Sequence, residues 1–229
     1  MNTFLLGEPN DGRPGNNRKD QETEMNITAE AVRTLREQTG AGMMDCKSAL
    51  VEAQGDMTKA QEVLRKKGLA AAAKRAGRSA SEGIVGHYIH PGAKVGVLVE
   101  INCETDFVAK NEDFQGLVRD IAMHIAAAAP VYVTKEEVPQ AIVDKEKEIY
   151  TAQAVAAGKP ANVAEKIAEG KLKDFYATQC LLEQAFVRDP KVTIGQLVQE
   201  KVAVIKENIV VRRFARFRVG DATPAAATE

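Results

Sequence analysis

The sequence predicts an α+β fold in which a compact three-helix module precedes a small antiparallel sheet covered by helices. Three observations carry this. Apolar residues recur at helical spacing between Asn26 and Gly68, they occupy every second position from Val95 to Cys103, and long helical patterns then return ahead of a last strand near the C-terminus. With 229 residues, 45% hydrophobic and 28% charged, the chain has enough apolar material for one small and one larger core.

Residues 1–25 read as a disordered leader. Their apolar patch is only Phe4, Leu5 and Leu6, too short for a signal sequence, and Pro, Gly, Asn and charged residues follow it. The pattern changes at Asn26. Ile27, Ala31 and Leu35 lie four residues apart, with Thr28 as N-cap and Gly40 as stop. Met43, Cys46, Leu50 and Ala53 form the stripe of a second short helix, ended by Gly55-Asp56. Met57, Ala60 and Leu64 form a third stripe, which is expected to stop at Gly68. Residues 26–68 are therefore expected to close one shared core, and the alanine-rich 69–81, with Lys74, Arg75 and Arg78, to be an exposed helical connector.

Residues 82–220 read as the α+β core. Val95, Val97, Val99, Ile101 and Cys103 share one face of a strand, and Gly83 to Ile89 pairs with it through a His90-Pro91-Gly92-Ala93 turn. A helix from about Glu112 to Ala128 carries Phe114, Leu117, Val118, Ile121 and Ile125 on one stripe and ends before Pro130. Two charged helices at about 140–177, broken at Gly158-Lys159, read as an antiparallel pair. A helix from Ile194 to Lys206 leads to a last strand, Ile209 to Val219, with Ile209, Val211, Ala215, Phe217 and Val219 assigned to one face. Residues 221–229 read as a frayed tail.

Composition narrows the function. The net charge is -1, without the basic excess of a protein that lives on phosphate backbones. Cys46, Cys103 and Cys180 are odd in number and lack ligand spacing, which fits a reducing cytosol and neither a disulfide framework nor a zinc site. No apolar run approaches the roughly 20 residues that cross a bilayer. The sequence carries no GxxxxGK[ST], GxGxxG after a strand, HExxH or GxSxG, so an enzyme is not expected, nor a cofactor or metal. His87, His90 and His124 are scattered; His124, on the apolar stripe, is expected to be a hydrogen-bonded core residue, and Cys103 a buried structural thiol.

Two segments stand out. In Thr39-Gly40-Ala41-Gly42-Met43-Met44-Asp45, two methionines follow two glycines between helices. Either both fill the small core, or one is left to meet a partner through its adaptable thioether. In Glu104-Thr105-Asp106-Phe107-Val108, Phe107 is surplus to the stripe of the next helix. Either it staples strand to helix, or it projects as an aromatic anchor beside a carboxylate. Position alone leaves both choices open.

Several strings in order resemble the elongation factor Ts family: TGAGMMDCKSAL (39–50), INCETDFVAKNEDF (101–114), IAMHIAAAAP (121–130), GKPANVAEKIAEGKLKDFY (158–176), LLEQAFVRD (181–189) and ENIVVRRFARFRVG (207–220). The resemblance covers Asn26 to about Gly220, so Met25 is expected to be the natural start. It implies a ubiquitin-associated-like module that docks, through the turn holding Thr39, Gly40, Met43 and Met44, on the GTPase elongation factor Tu. It also implies that Thr105, Asp106, Phe107 and Val108 form the exchange element, which reaches between helices of that partner near its nucleotide and magnesium. The expected function is guanine nucleotide exchange in translation elongation, in the cytoplasm, with no membrane and no specific nucleic acid. Long members of the family carry the sheet-forming unit twice, and this chain carries it once, so a homodimer is expected. A rival reading takes Arg212-Arg213-Phe214-Ala215-Arg216-Phe217-Arg218 as an RNA or ribosome contact. An ordinary half-buried strand is preferred, because packing of Val211, Ala215, Phe217 and Val219 accounts for its apolar face.

Overall fold

The computed structural model describes residues 27–221; the expectations for the leader, for Met25 and for residues 222–229 lie outside them. Helix α1 (Ala29–Thr39) begins where the Thr28 hydroxyl accepts from Ala31 N–H at 3.1 Å and ends at Gly40, whose φ of 66° a residue bearing Cβ rarely adopts. Helix α2 (Met43–Glu52) follows, and α3 (Met57–Arg75) starts on the Asp56 side chain. Val32, Leu35, Cys46, Ala49, Leu50, Ala53 and Ala60 close a small core of their own. Leu50 is fully buried there, and its truncation to alanine would cost roughly 2 to 5 kcal/mol.

The third helix does not stop at Gly68. It runs to Arg75, so residues 69–75 of the expected connector are its last turns, and Ala72 is buried in the second core. Gly68 serves packing and not termination. A Cβ at this position would lie 2.9 Å from the Cβ of Ala203, on a helix that crosses it closely. The alanines beyond it carry the helix forward by intrinsic propensity.

The sheet has three antiparallel strands: β1 (Glu82–Ile89), β2 (Val95–Cys103) in the centre, and β5 (Val210–Arg218). Val97, Val99, Ile101 and Cys103 of β2 face inward as expected and are buried against Phe114, Leu117, Val118, Ile121 and Ile125 of α5 (Glu112–Ala128). Gly86 lets α5 approach β1, since a Cβ there would collide with Val118. A four-residue helix absent from the sequence reading, α4 (Asp106–Ala109), sits between β2 and α5. The charged helices α6 (Gln140–Ala156) and α7 (Ala161–Gln179) pack as a pair through Ala154, Ala164 and Ala168. A two-stranded sheet, β3 (Ala185–Phe186) and β4 (Asp189–Thr193), leads to α8 (Ile194–Ile205), which packs on α3 and α5. Among the described residues no helix is long and apolar enough to cross a membrane.

The face assigned to the last strand needs correction. The β2–β5 register slips between Glu100 and Ile101, a bulge that moves one residue out of step. Val211 stays buried, but beyond the bulge Phe214 packs on the core and Arg216 reaches the carbonyl of Ala126, while Ala215, Phe217 and Val219 are exposed. A one-residue shift exchanges the faces of every later side chain. The outer face of the sheet therefore carries Val85, Ile89, Leu98 and Phe217 in solvent, with Phe217 in register opposite Gly96 and Ile89.

Candidate functional site

The residues after β2 divide by direction. Ala109 is buried and Val108 packs against the core, so these two fasten the short helix. Asp106 and Phe107 point away from it. Phe107 is 80% exposed, the most exposed phenylalanine in the described core, so it does not staple strand to helix. An exposed aromatic ring offers a partner a large apolar contact area.

The projection is held from behind. Thr105 caps α4 by accepting from Val108 N–H at 3.4 Å. Its own N–H and that of Glu104 donate to Glu207 Oε2 at 3.0 and 3.1 Å, and its hydroxyl donates to Glu207 Oε1 at 2.7 Å. Asp106 accepts from Lys110 Nζ at 2.8 Å, and this bond holds its carboxyl below the usual range and raises the lysine above its own. Asp106 is therefore charged at neutral pH, beside an exposed aromatic ring.

The second expected contact also opens outward. Met43 and Met44 are 57% and 74% exposed, so neither fills the small core, although the spacing puts Met43 on the helical stripe. Thr39 is occupied within the turn: its hydroxyl donates to Leu35 O at 2.7 Å and accepts from Ala41 N–H at 3.3 Å. Gly40 supplies the left-handed helix end and lies against Val204 of α8. In this turn Thr39 and Gly40 shape the surface that the methionines offer.

The other candidates are structural. His124 is buried, with Nε2–H donating to Gln184 Oε1 at 2.9 Å and Nδ1 accepting from Val187 N–H at 3.3 Å. Burial pushes its pKa down, against the smaller opposing effect of Gln184. Burial raises the thiol pKa values of Cys46, Cys103 and Cys180, that of Cys180 to about 11, which leaves them as unreactive thiols. Among the described residues no group of three His, Cys, Asp or Glu could hold a metal ion. In β5, Arg213 pairs with Glu100 at 2.6 Å and Arg216 lies 3.8 Å from Asp221, so the basic strand presents fewer free cations than its sequence suggests. Sequence reasoning missed Glu207, which acts across about a hundred residues and carries no local signal.

Comparison with known proteins agrees with the strings that carry the resemblance. The family model described as elongation factor Ts matches residues 25–221. The elongation factor Ts of Caldanaerobacter subterraneus subsp. tengcongensis is 60% identical over 195 residues, which cover 85% of this chain and 98% of the relative. That of Carboxydothermus hydrogenoformans is 61% identical, covering 85% and 90%, and that of Geotalea daltonii is 60% identical, covering 86% and 91%. Identity of this order along nearly the whole of each relative is decisive: the chain belongs to the elongation factor Ts family.

Proposed function

We propose that the chain is a guanine nucleotide exchange factor that binds elongation factor Tu carrying GDP and promotes release of the nucleotide. The observation that carries this reading is Phe107, an exposed aromatic side chain on a capped and clamped projection. An exchange factor works by linkage: binding the empty GTPase better than the loaded one weakens nucleotide in the complex by the same factor. Phe107 enters between the helices that support the partner's magnesium and phosphate site, and Asp106 holds the displaced arrangement. Magnesium is the largest local charge in such a site, so a small movement of its supports removes a large attraction. No covalent bond is made or broken, and the chain itself acts without cofactor or metal, in the cytoplasm. Met43 and Met44, shaped by Thr39 and Gly40, dock on the partner. The test is direct. Elongation factor Tu loaded with fluorescent GDP should lose it faster when this protein is added, and an unchanged release rate rejects the reading.

The working unit in this proposal is a homodimer. Val85, Ile89, Leu98 and Phe217 lie on the outer face of the sheet, with the Glu100–Arg213 ion pair at one end of it. A second copy packed face to face on the same patch would bury it on both sides, as closed two-fold contacts do. Light scattering under reducing conditions checks this, and a Phe217→Asp variant should shift the mass toward the monomer. Exposure of Phe217 also removes the packing argument against the RNA reading, but two of the strand's four arginines are engaged within the chain. Exchange without specific nucleic-acid binding remains the better account, and binding that falls steeply with salt would reverse the preference.

A further inference from the structure

The turn between α8 and β5 meets both contact surfaces within three consecutive residues. Lys206, in a left-handed conformation at φ 67°, ends α8 and lies 3.6 Å from the carboxylate of Asp45, one residue beyond Met44. Glu207 accepts three hydrogen bonds from Glu104 and Thr105. Asn208 is buried; its backbone N–H donates to Glu104 Oε1 at 2.7 Å and its side chain donates to the carbonyl of Arg78 at 2.8 Å. The Glu207 carboxylate thus holds the backbone of Glu104 and Thr105 while the Glu104 carboxylate holds that of Asn208, and Arg78 lies 3.6 Å from Glu104.

The bonds are not equal. The Lys206–Asp45 pair is long and exposed on both sides, and pairs of that kind contribute little. Glu207 accepts two backbone N–H groups at 3.0 and 3.1 Å and a hydroxyl at 2.7 Å, three bonds converging on one carboxylate, which makes it the stronger restraint by type. It also acts where restraint matters, on the residue before Asp106 and two before Phe107. We propose that Glu207 is the positioning residue of the exchange element, fixing the direction in which Phe107 projects without touching the partner itself. This rests on the exchange reading above. A wedge that must enter between two helices loses effect when its aim wanders, and misplacement of about 1 Å can cost a reaction up to a hundredfold.

The test compares Glu207→Ala and Glu207→Gln with the parent in GDP release from elongation factor Tu, and in hydrogen–deuterium exchange of the free proteins. Glu207→Ala should lower the maximal release rate about tenfold to a hundredfold, while the concentration giving half that rate stays within about twofold, because the methionine surface is untouched. Glu207→Gln should recover most of the rate, since its carboxamide oxygen still accepts from both backbone N–H groups. The amides of Phe107 and Val108 should lose protection in Glu207→Ala and regain it in Glu207→Gln. Should Glu207→Ala not fold, Glu207→Asp, whose carboxylate stops one methylene short, makes the same comparison. A parental maximal rate in the alanine variant, or a change confined to the half-saturating concentration, overturns the assignment. If the parent itself fails to release GDP, the exchange reading falls, and unchanged amide protection would separately show that Glu207 does not hold the loop.

Discussion

Large apolar side chains reach solvent at the start of two helices, and the two starts are built differently. Helix α2 begins at Gly42 with no side-chain cap, and its Met43 and Met44 are flexible thioethers on a glycine-bounded turn. Helix α4 begins at Thr105 with a side-chain cap, the Glu207 carboxylate behind it and one rigid ring in front. An adaptable surface keeps its contact while the partner changes shape, whereas a fixed one imposes a shape. On the exchange reading proposed above, holding falls to the first and displacement to the second.

The sharpest way to break that division is Phe107→Ala. The ring is exposed, so melting should stay near that of the parent, whereas a buried phenylalanine would cost roughly 3 to 5 kcal/mol. Loss of an interface anchor should cost about 1 to 4 kcal/mol of affinity for the empty partner, and each 1.4 kcal/mol or so slows exchange tenfold. A large fall in melting temperature, or release at the parental rate, would make Phe107 structural. Replacing Met43 and Met44 together by alanine should act on the other side of the division. The half-saturating concentration should rise roughly fivefold, about 1 kcal/mol, with the maximal rate retained. If the maximal rate drops instead, the methionines take part in displacement.

Acid should separate the two cores. His124 is buried in the larger one, and its folded pKa is depressed by burial. The unfolded chain then binds more protons as pH falls below about 6.5, so stability declines from there toward the folded pKa, by at most about 1.4 kcal/mol per pH unit. The small core contains no histidine. Hydrogen exchange at pH 7 and pH 5 should therefore show weakened protection around α5 and little change in α1 and α2. Equal loss in both would remove His124 as the cause. The smallest effect concerns the thiols. None should alkylate in the native state, and in mild denaturant Cys46 should react before Cys103 and Cys180, because the smaller core opens more easily. Cys103 reacting first would invert the ranking of the two cores.

Much of the fold was legible because its signals are periodic. The alternation in β2, the stripe of α5 and the caps Thr28 and Gly40 are local patterns, and the chain follows them. The failures share one cause, which is contact with something distant in sequence. Gly68 reads as a helix end until Ala203 is seen against it. The faces of β5 read correctly up to the bulge, which is set by pairing with β2. The candidate site was half legible: Phe107 could be noticed as surplus, but its direction depends on Val108 and Ala109 turning inward and on Glu207 behind it. Met43 and Met44 were ambiguous by spacing, and the small core closes without either of them buried.

The unbroken course of α3 makes its length a matter of phase. The helix is 19 residues long and belongs to the small core at Ala60 and to the large one at Ala72. One residue inserted between them would turn one end by about 100° relative to the other and lengthen the helix by about 1.5 Å. The methionines would then point to a different quarter of the surface, and Gly68 would no longer meet Ala203. Such a chain could keep both cores intact and still present its two contacts to different partners. An insertion within α3 therefore acts as a rotation of the small core against the large one.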